Sequence, residues 1–582
     1  MSAAALPEGW PAMPVAHANA LLAAEGSPLE LSHAAIGGVP MKVYLNAPDT
    51  MRDVLAASAA FGSRDLIVFE GERVTFETHL KAVAHFADVL KTKFNIQPGD
   101  RVAIVMRNYP QWPVAFFAAL SIGAIATPMN SWWTGEELDY GLRDSGAKLA
   151  VVDAQIYERI REHWANLTDL KNIIIARDPE NERADPCLFA MENFIGESNS
   201  WPGLEPKPLP DTPLKPESDA TIMYTSGTTG RPKGALATHR AIISNMFNGL
   251  TILARTFLRR GEAPPEPDPA VQRATLLAIP FFHATGAFSV LCPAILQGNK
   301  IVAMYKWDID KALPMIAEEK VTTVGGVPTI AWQLLEHPDR HKYDLSSIQA
   351  VSYGGAPSAP ELVTTIKKRL PEAVPGNGWG MTETCAMASA NFGEDYINRP
   401  DSAGVPPGAV ELRVVGPDGD DLPAGEVGEL WVKGAMNCKL YWNRPDATAE
   451  TFIDGWVVTG DLARLDEEGF VYLVDRAKDM LIRGGENIYC IEVESALYSH
   501  PAIMDAAIVG IPHKILGEEV GAVVQLTPGA SISEEELRHH VAGHLAAFKV
   551  PVEIQFETEP LPRNANGKIL KTELRDRFKE RA

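Results

Sequence analysis

The ten residues Thr225-Ser-Gly-Thr-Thr-Gly-Arg-Pro-Lys-Gly234 hold the densest chemistry in this chain of 582 residues. Three glycines let successive backbone N–H groups turn toward one centre, the hydroxyls of Thr225, Ser226, Thr228 and Thr229 add donors, and Lys233 adds a compact positive charge. That set suits the oxygens of a polyphosphate. It is not a Walker A loop, because Pro232 rather than Gly precedes Lys233 and Gly234 rather than Ser or Thr follows it. A Gly/Thr-rich surface turn would explain single residues, but not the whole set directly behind an apolar stretch at 221–225. His540 and His544 stand four apart on a predicted helix; with no HExxH and no third ligand, a solvated face is the simpler reading than a metal site. Cys187, Cys292, Cys385, Cys438 and Cys490 form no CxxC and no ligand spacing, which points to structural thiols in a reducing compartment.

The elements that must hold the loop follow an α/β pattern. Apolar runs at 221–225, 274–279, 300–305 and 348–353 predict short buried strands, and helical spacing at 308–320 and 361–370 places helices between them, so parallel α/β layers are expected. Proline clusters at 202–216 and 264–269 read as surface connections. Past residue 400 the signals turn antiparallel, with a strand at 426–433 and a hairpin pairing 456–459 with 470–474 across the turn Asp466-Glu-Glu-Gly469. The tail from about 479 combines strands at 506–511 and 522–526 with a helix at 533–547 that opens on a capping box, Ser533-Glu-Glu-Glu536.

Composition bounds the partners. With 53 basic and 75 acidic side chains the formal net charge is −22, which makes nucleic acid and anionic membrane poor default partners. A hydrophobic share of 46% over this length fits a folded, soluble protein of about three to five packing units. Two stretches without Asp, Glu, Lys or Arg, 108–135 and 274–299, are long enough to span a bilayer. Pro110, Pro113 and Pro128 interrupt the first and Pro280, Gly286 and Pro293 the second, so both are expected in the core and no transmembrane segment is expected. No basic residue precedes Lys42, so the start lacks the character of a signal or transit peptide and the cytoplasm is the expected location.

The loop and several segments downstream resemble the adenylate-forming superfamily of acyl-CoA synthetases, luciferases and peptide-synthetase adenylation domains. Those segments match in that family's order: Pro280-Phe-Phe-His283, Gly354-Gly-Ala-Pro357, Gly378-Trp-Gly-Met-Thr-Glu-Thr384, Thr459-Gly-Asp461, Asp475-Arg-Ala-Lys-Asp479, Gly484-Gly-Glu-Asn487 and Leu561-Pro-Arg-Asn-Ala-Asn-Gly-Lys568. The resemblance covers about residues 65 to 575. It implies a large multi-layer N-terminal domain (51–477) of parallel α/β sheets with a β-rich subdomain, a small mobile α+β C-terminal domain (478–582), and an N-terminal extension (1–50) that is either an ordered wrap or a loose tail.

The resemblance also assigns roles. Thr225, Ser226, Gly227, Thr228, Thr229, Gly230 and Lys233 would take the phosphates of ATP; Gly354, Gly355, Ala356, Gly378, Trp379, Gly380 and Met381 would surround its adenine, with Trp379 stacking on the ring. Thr382 would donate to the α-phosphate, and Glu383 with Thr228 would hold Mg2+, a hard cation suited to oxygen. Asp461 and Arg476 would take the ribose. Lys568 would relieve the repulsion as a carboxylate attacks the α-phosphate. Lys478 sits at the family's hinge, about which the C-terminal domain rotates to bring Gly484 and Gly485 to the site for coenzyme A. His283 and Phe282 would border the acid.

The implied reaction joins a small-molecule carboxylic acid to coenzyme A through an acyl-adenylate, with ATP and Mg2+. Phe281, Phe282, Trp332, Met381 and Met387 are expected to add apolar bulk, and Gly-Trp-Gly-Met-Thr-Glu resembles fatty-acid ligases, so a medium- or long-chain fatty acid is expected; aromatic acids of coumarate or benzoate type stay open. Loading of a carrier protein is disfavoured because the chain ends just past Lys568, and a non-catalytic nucleotide binder because Thr382, Glu383, Asp461, Arg476 and Lys568 are all present. Assembly as a homodimer is left open. Two positions depart from the family: Cys490 stands where Pro is common, and His513 where Asp is usual.

Overall fold

The computed structural model describes the chain except residues 1–5, 7–8, 179–184, 226–230, 267, 269, 356–357, 359, 485, 528, 564–568 and 580–582. Two eight-stranded sheets form its larger part. The first runs Leu440–Tyr441, Gly234–Thr238, Asp219–Tyr224, Ile125–Pro128, Arg101–Val105, Leu149–Asp153, Asn172–Ala176 and Leu188–Ala190. The second runs Ser389–Phe392, Val374–Trp379, Ala350–Gly354, Thr323–Gly326, Ala274–Leu277, Lys300–Ala303, Asp65–Phe69 and Glu72–Thr75. Their centres are parallel, as crossover helices between strands dictate, and antiparallel strands join at their edges. Beyond residue 410 a five-stranded antiparallel sheet is built on Trp456–Leu465, and a second five-stranded sheet on the hairpin Ile503–His513 and Gly517–Leu526. The structure thus has the expected parallel layers, β-rich addition and small α+β tail.

Both uncharged stretches are core. Every residue of helix Gln111–Ser121 is buried, and Trp112 lies between Phe116 and Phe281 with ring centroids 5.0 and 5.2 Å away. Helix His239–Arg259 is the one described helix long and apolar enough to cross a membrane, and it lies inside the fold. Its buried Arg259 pairs with Asp395 at 2.6 Å, and its buried Arg255 donates to the carbonyls of Val405 and Pro406. The same helix settles the form of the N-terminal extension. Arg259 donates to Met13 O, Arg255 to Asn19 Oδ1, and Tyr44 Oη meets Asn248 and Thr251 at 2.9 Å, so residues 12–44 are an ordered wrap.

The predicted tail helix is shorter than its apolar spacing suggests. It spans Glu534–Ala542 under the Ser533 capping box and stops at Gly543, leaving His544 outside it. His540 is occupied as structure, with Nε2 2.8 Å from Ser499 Oγ and 3.1 Å from Ala496 O.

The chain passes from one sheet to the other between Arg476 and Leu481. Ala477 N–H still bonds Gly460 O at 3.0 Å, and Leu481–Arg483 already belongs to the last sheet. Both departures from the family pattern have physical content here. Cys490 N–H donates to Asp475 Oδ2 across this junction, a bond proline could not make, and its thiol donates to Asp479 O at 3.0 Å. Desolvation at this junction pushes the Asp475 carboxyl up to about 6. His513 Nδ1 accepts from Ile515 and Leu516 N–H at 3.3 and 3.1 Å, closing the hairpin turn as a carboxylate would.

This packing makes two testable demands. His79 and His239 are fully buried, and burial holds their imidazoles down to about 3 and about 4; His239 Nδ1 accepts from Met51 N–H, which fixes it neutral. Below the unfolded value near 6.5 the unfolded chain takes protons that the folded chain refuses, so stability present above that pH is lost as pH falls, by about 1.4 kcal/mol per unit for each group. His79→Met is therefore expected to narrow or reverse its Tm deficit between pH 7 and pH 5, whereas a deficit constant with pH contradicts the assignment. Cys490 opens the helix Cys490–Tyr498, where proline is tolerated. Cys490→Pro should leave helix content unchanged by circular dichroism but speed proteolytic cleavage at 476–481 several-fold.

Candidate active site

The phosphate-type loop joins two antiparallel strands. Tyr224 ends Asp219–Tyr224, Gly234 begins Gly234–Thr238, and Thr225 N–H donates to Lys233 O at 2.8 Å to close the loop's neck. Tyr140 Oη donates to Pro232 O at 3.0 Å and fixes the descending arm. Ser226, Gly227, Thr228, Thr229 and Gly230 lie outside the described residues, as do Ala356, Gly485 and Lys568. On either side of Lys568, Arg563 and Ile569 form a bridge and Leu570 N–H bonds Pro562 O at 2.8 Å.

Across from the loop, two adjacent parallel strands of the second sheet end at Gly354 and Trp379. Gly354 pairs with Gly378, whose carbonyl oxygen lies 2.4 Å from where a Cβ on Gly354 would stand. The neighbouring strand alone therefore demands glycine at Gly354, before any purine is considered. Gly380 is tighter, with the Ala386 carbonyl oxygen 1.6 Å from its would-be Cβ. Gly355 and Met381 flank these strand ends. The next turn, Thr382–Thr384, delivers Thr382 and a buried Glu383, and is held by Thr384 Oγ1 on the Met381 N–H at 3.1 Å.

Asp461 gathers three of the residues singled out in the sequence. Trp379 Nε1 donates to Asp461 Oδ2 at 3.0 Å, and Arg476, directly opposite in the hairpin register, sets its Nε 2.7 Å from Asp461 Oδ1. Thr459 Oγ1 accepts from Asp461 N–H and donates to Leu430 O, fixing the carboxylate from below. Trp379 is 8% exposed and packs with Ala388, Val410 and Met436, so most of its ring is covered by the protein itself. Partial desolvation and then the charges of Arg476 and Lys233 hold the Lys478 ammonium below the ordinary lysine value, which places Lys478 beside the same cluster. Gly484 N–H bonds Leu516 O at 2.8 Å within the last sheet.

One cleft joins these parts. Pro128, Trp133, Met223, Thr225, Phe282, His283, Ala284 and Thr382 line it, so the loop neck, the Phe-His pair and the Thr382 turn converge. His283 Nδ1 accepts from Thr285 N–H at 3.2 Å, which leaves the proton to Nε2. Phe281 and Trp332 do not reach this cleft as expected: Phe281 is in the core against Trp112, and Trp332 packs on the apolar cluster around Leu313 and Leu334. Phe282, next to Phe281 in the turn, lines the cleft instead and meets Trp132 edge-on.

Two contributors were not visible in the sequence. Tyr441 Oη donates to Glu383 Oε1, and Cys438 donates its N–H to Glu383 O at 2.7 Å and its thiol to Thr382 O at 3.3 Å. They come from Asn437-Cys-Lys-Leu-Tyr-Trp442, which lacks any glycine or charge spacing that would mark a site. The Glu383 donor set suits a hard cation. It is a buried carboxylate whose second oxygen takes no hydrogen bond among the described residues.

The AMP-binding enzyme model matches residues 55–442, and the AMP-binding enzyme C-terminal domain matches residues 492–568. A feruloyl-CoA synthase from Amycolatopsis sp is 36% identical over 87% of this chain and 94% of its own length. A long-chain-fatty-acid–CoA ligase from Bacillus subtilis is 33% identical over 90% of this chain and 94% of its own. The structure of o-succinylbenzoate CoA synthetase from Bacillus subtilis with its acyl-adenylate superposes with a TM-score of 0.74 at 28% identity, covering 91% of this chain and 99% of that one. The chain belongs to the AMP-binding enzyme family, among its adenylate-forming acid–thiol ligases.

Proposed function

We propose that the chain activates a medium- or long-chain fatty acid with ATP and transfers the acyl group to coenzyme A. The observation that carries the reading is the convergence of Thr225, Thr382 and His283 on one cleft walled by Phe282, Met223, Trp133 and Ala284. The acid's carboxylate oxygen attacks the α-phosphorus, the bond to the bridging oxygen breaks, and pyrophosphate leaves. The coenzyme A sulfur then adds to the acyl carbonyl, its proton passes to solvent, and AMP leaves with the C–O bond electrons. Thr225 and Lys233 meet the phosphates, Asp461 and Arg476 the ribose, and Thr382 the α-phosphate. Lys568 bridges the two anions in the first step. Glu383, with Thr228, would hold Mg2+, which when bound neutralises phosphate charge. In this reading residues 51–477 bind ATP and acid, and residues 478–582 rotate about Lys478 between the two steps.

An aryl acid is the second reading. Trp132 meets Phe282 edge-on at 5.4 Å beside Trp133, giving the wall flat aromatic faces, and the feruloyl-CoA synthase is among the similar relatives. A panel of straight-chain acids from six to eighteen carbons together with cinnamate-type acids, scored by kcat/KM, separates the two. The highest value on a straight-chain acid is expected; the highest on an aryl acid replaces it with the second reading. Lys568→Ala should lower acid-dependent ATP–pyrophosphate exchange by about 10²-fold or more, by the scale of losing one transition-state donor. Full exchange activity in that variant contradicts the role given to Lys568.

A further inference from the structure

The short segment 438–442 touches both halves of the phosphate-handling apparatus. On one side it is the edge strand Leu440–Tyr441, pairing Tyr441 with Ala235 and Leu440 with Leu236 directly behind the phosphate loop. Lys439 and Trp442 N–H groups extend that pairing to Leu236 O and Gly234 O, each at 2.7 Å. On the other side Cys438 holds the Thr382–Glu383 turn through its N–H and its thiol. Tyr441 lies between these attachments. The Lys233 ammonium sits 4.5 Å from the centre of its ring, and its hydroxyl donates to Glu383 Oε1. The ring is fixed by its burial and by an edge contact with Phe452 at 5.3 Å.

The arrangement addresses a particular hazard. A lysine and a buried carboxylate this close to a common neighbour would gain by pairing with each other, which would use up both the phosphate-binding cation and the metal-binding anion. No carboxylate lies within 4 Å of Lys233 among the described residues. The π-face attracts the ammonium without neutralising it, and the single hydroxyl occupies one carboxylate oxygen while leaving the other.

We propose that Tyr441 is a positioning residue for adenylation, holding Lys233 at its face and Glu383 at its hydroxyl so that both charges stay available to the metal-bound phosphates of ATP. This rests on the adenylation reading. Tyr441→Phe keeps the ring and removes the hydroxyl; Tyr441→Leu removes both. Calorimetric titration with ATP, with and without Mg2+, gives the factor by which Mg2+ strengthens ATP binding. In Tyr441→Phe that factor should shrink at least fivefold while metal-free ATP affinity stays within twofold. In Tyr441→Leu metal-free affinity should itself fall fivefold or more. ATP–pyrophosphate exchange with dodecanoate or ferulate should drop at least tenfold in Tyr441→Phe, with thioester formation from the preformed acyl-adenylate within twofold of wild type. A wild-type Mg2+ factor in Tyr441→Phe overturns the proposal, as do equal losses in both half-reactions and in metal-free binding, which would mean a merely structural tyrosine. A wild-type protein that binds ATP but makes no thioester would instead overturn the ligase reading, and the binding titrations would still judge Tyr441.

Discussion

A carboxylate and a triphosphate, both anions, must meet inside a protein whose own net charge is −22. Everything around the cleft answers that constraint. Partial burial first, and then the neighbouring charges of Arg476 and Lys233, make Lys478 give up its proton more readily than an ordinary lysine. Lys233 is held by an aromatic face that orients it and leaves its charge in place, whereas Arg476 is oriented by an ion pair with Asp461. The surface acidity therefore describes the outside of the molecule and says little about the ligand.

The two large sheets exist to bring such groups together at strand ends. Tyr224 and Thr225 leave one sheet where Gly354 and Trp379 leave the other, and the third sheet adds Asp461 and Arg476 from facing positions of one hairpin. Strand termini free the backbone for binding while the strands themselves stay rigid, which is where α/β folds place their ligands. The junction at 476–481 is different in kind. It is a short turn between sheets, clasped by Cys490 N–H on Asp475, a contact that a rotation of the tail would have to keep or break.

Much of this was legible from residue types. The strands at 221–225 and 300–305 appear within two residues of their predicted ends, because apolar runs mark buried strands. The hairpin Ile503–His513 and Gly517–Leu526 was seen only in its buried halves, since Glu518 and Glu519 continue the ladder beyond the core where apolarity no longer reports it. The helix expected at 533–547 ends at Ala542 with Gly543, a weak helix former, as its C-cap, short of where apolar spacing alone would carry it. In the site, charged and glycine-rich motifs were readable because chemistry dictates their types. Tyr441 and Cys438 were not, since they act by reaching Glu383 and Thr382 from 58 and 56 positions away, and no local pattern records that. Phe281 and Phe282 show the same limit, as adjacency in sequence concealed opposite facings.

Activation of the acid as an acyl-adenylate is the central claim, and isotope transfer tests it most directly. With a carboxylic acid labelled by 18O in both carboxyl oxygens, turnover with ATP and coenzyme A should place one 18O in the phosphoryl group of AMP and leave pyrophosphate unlabelled. Unlabelled AMP, or 18O in inorganic phosphate released with ADP, would contradict the account.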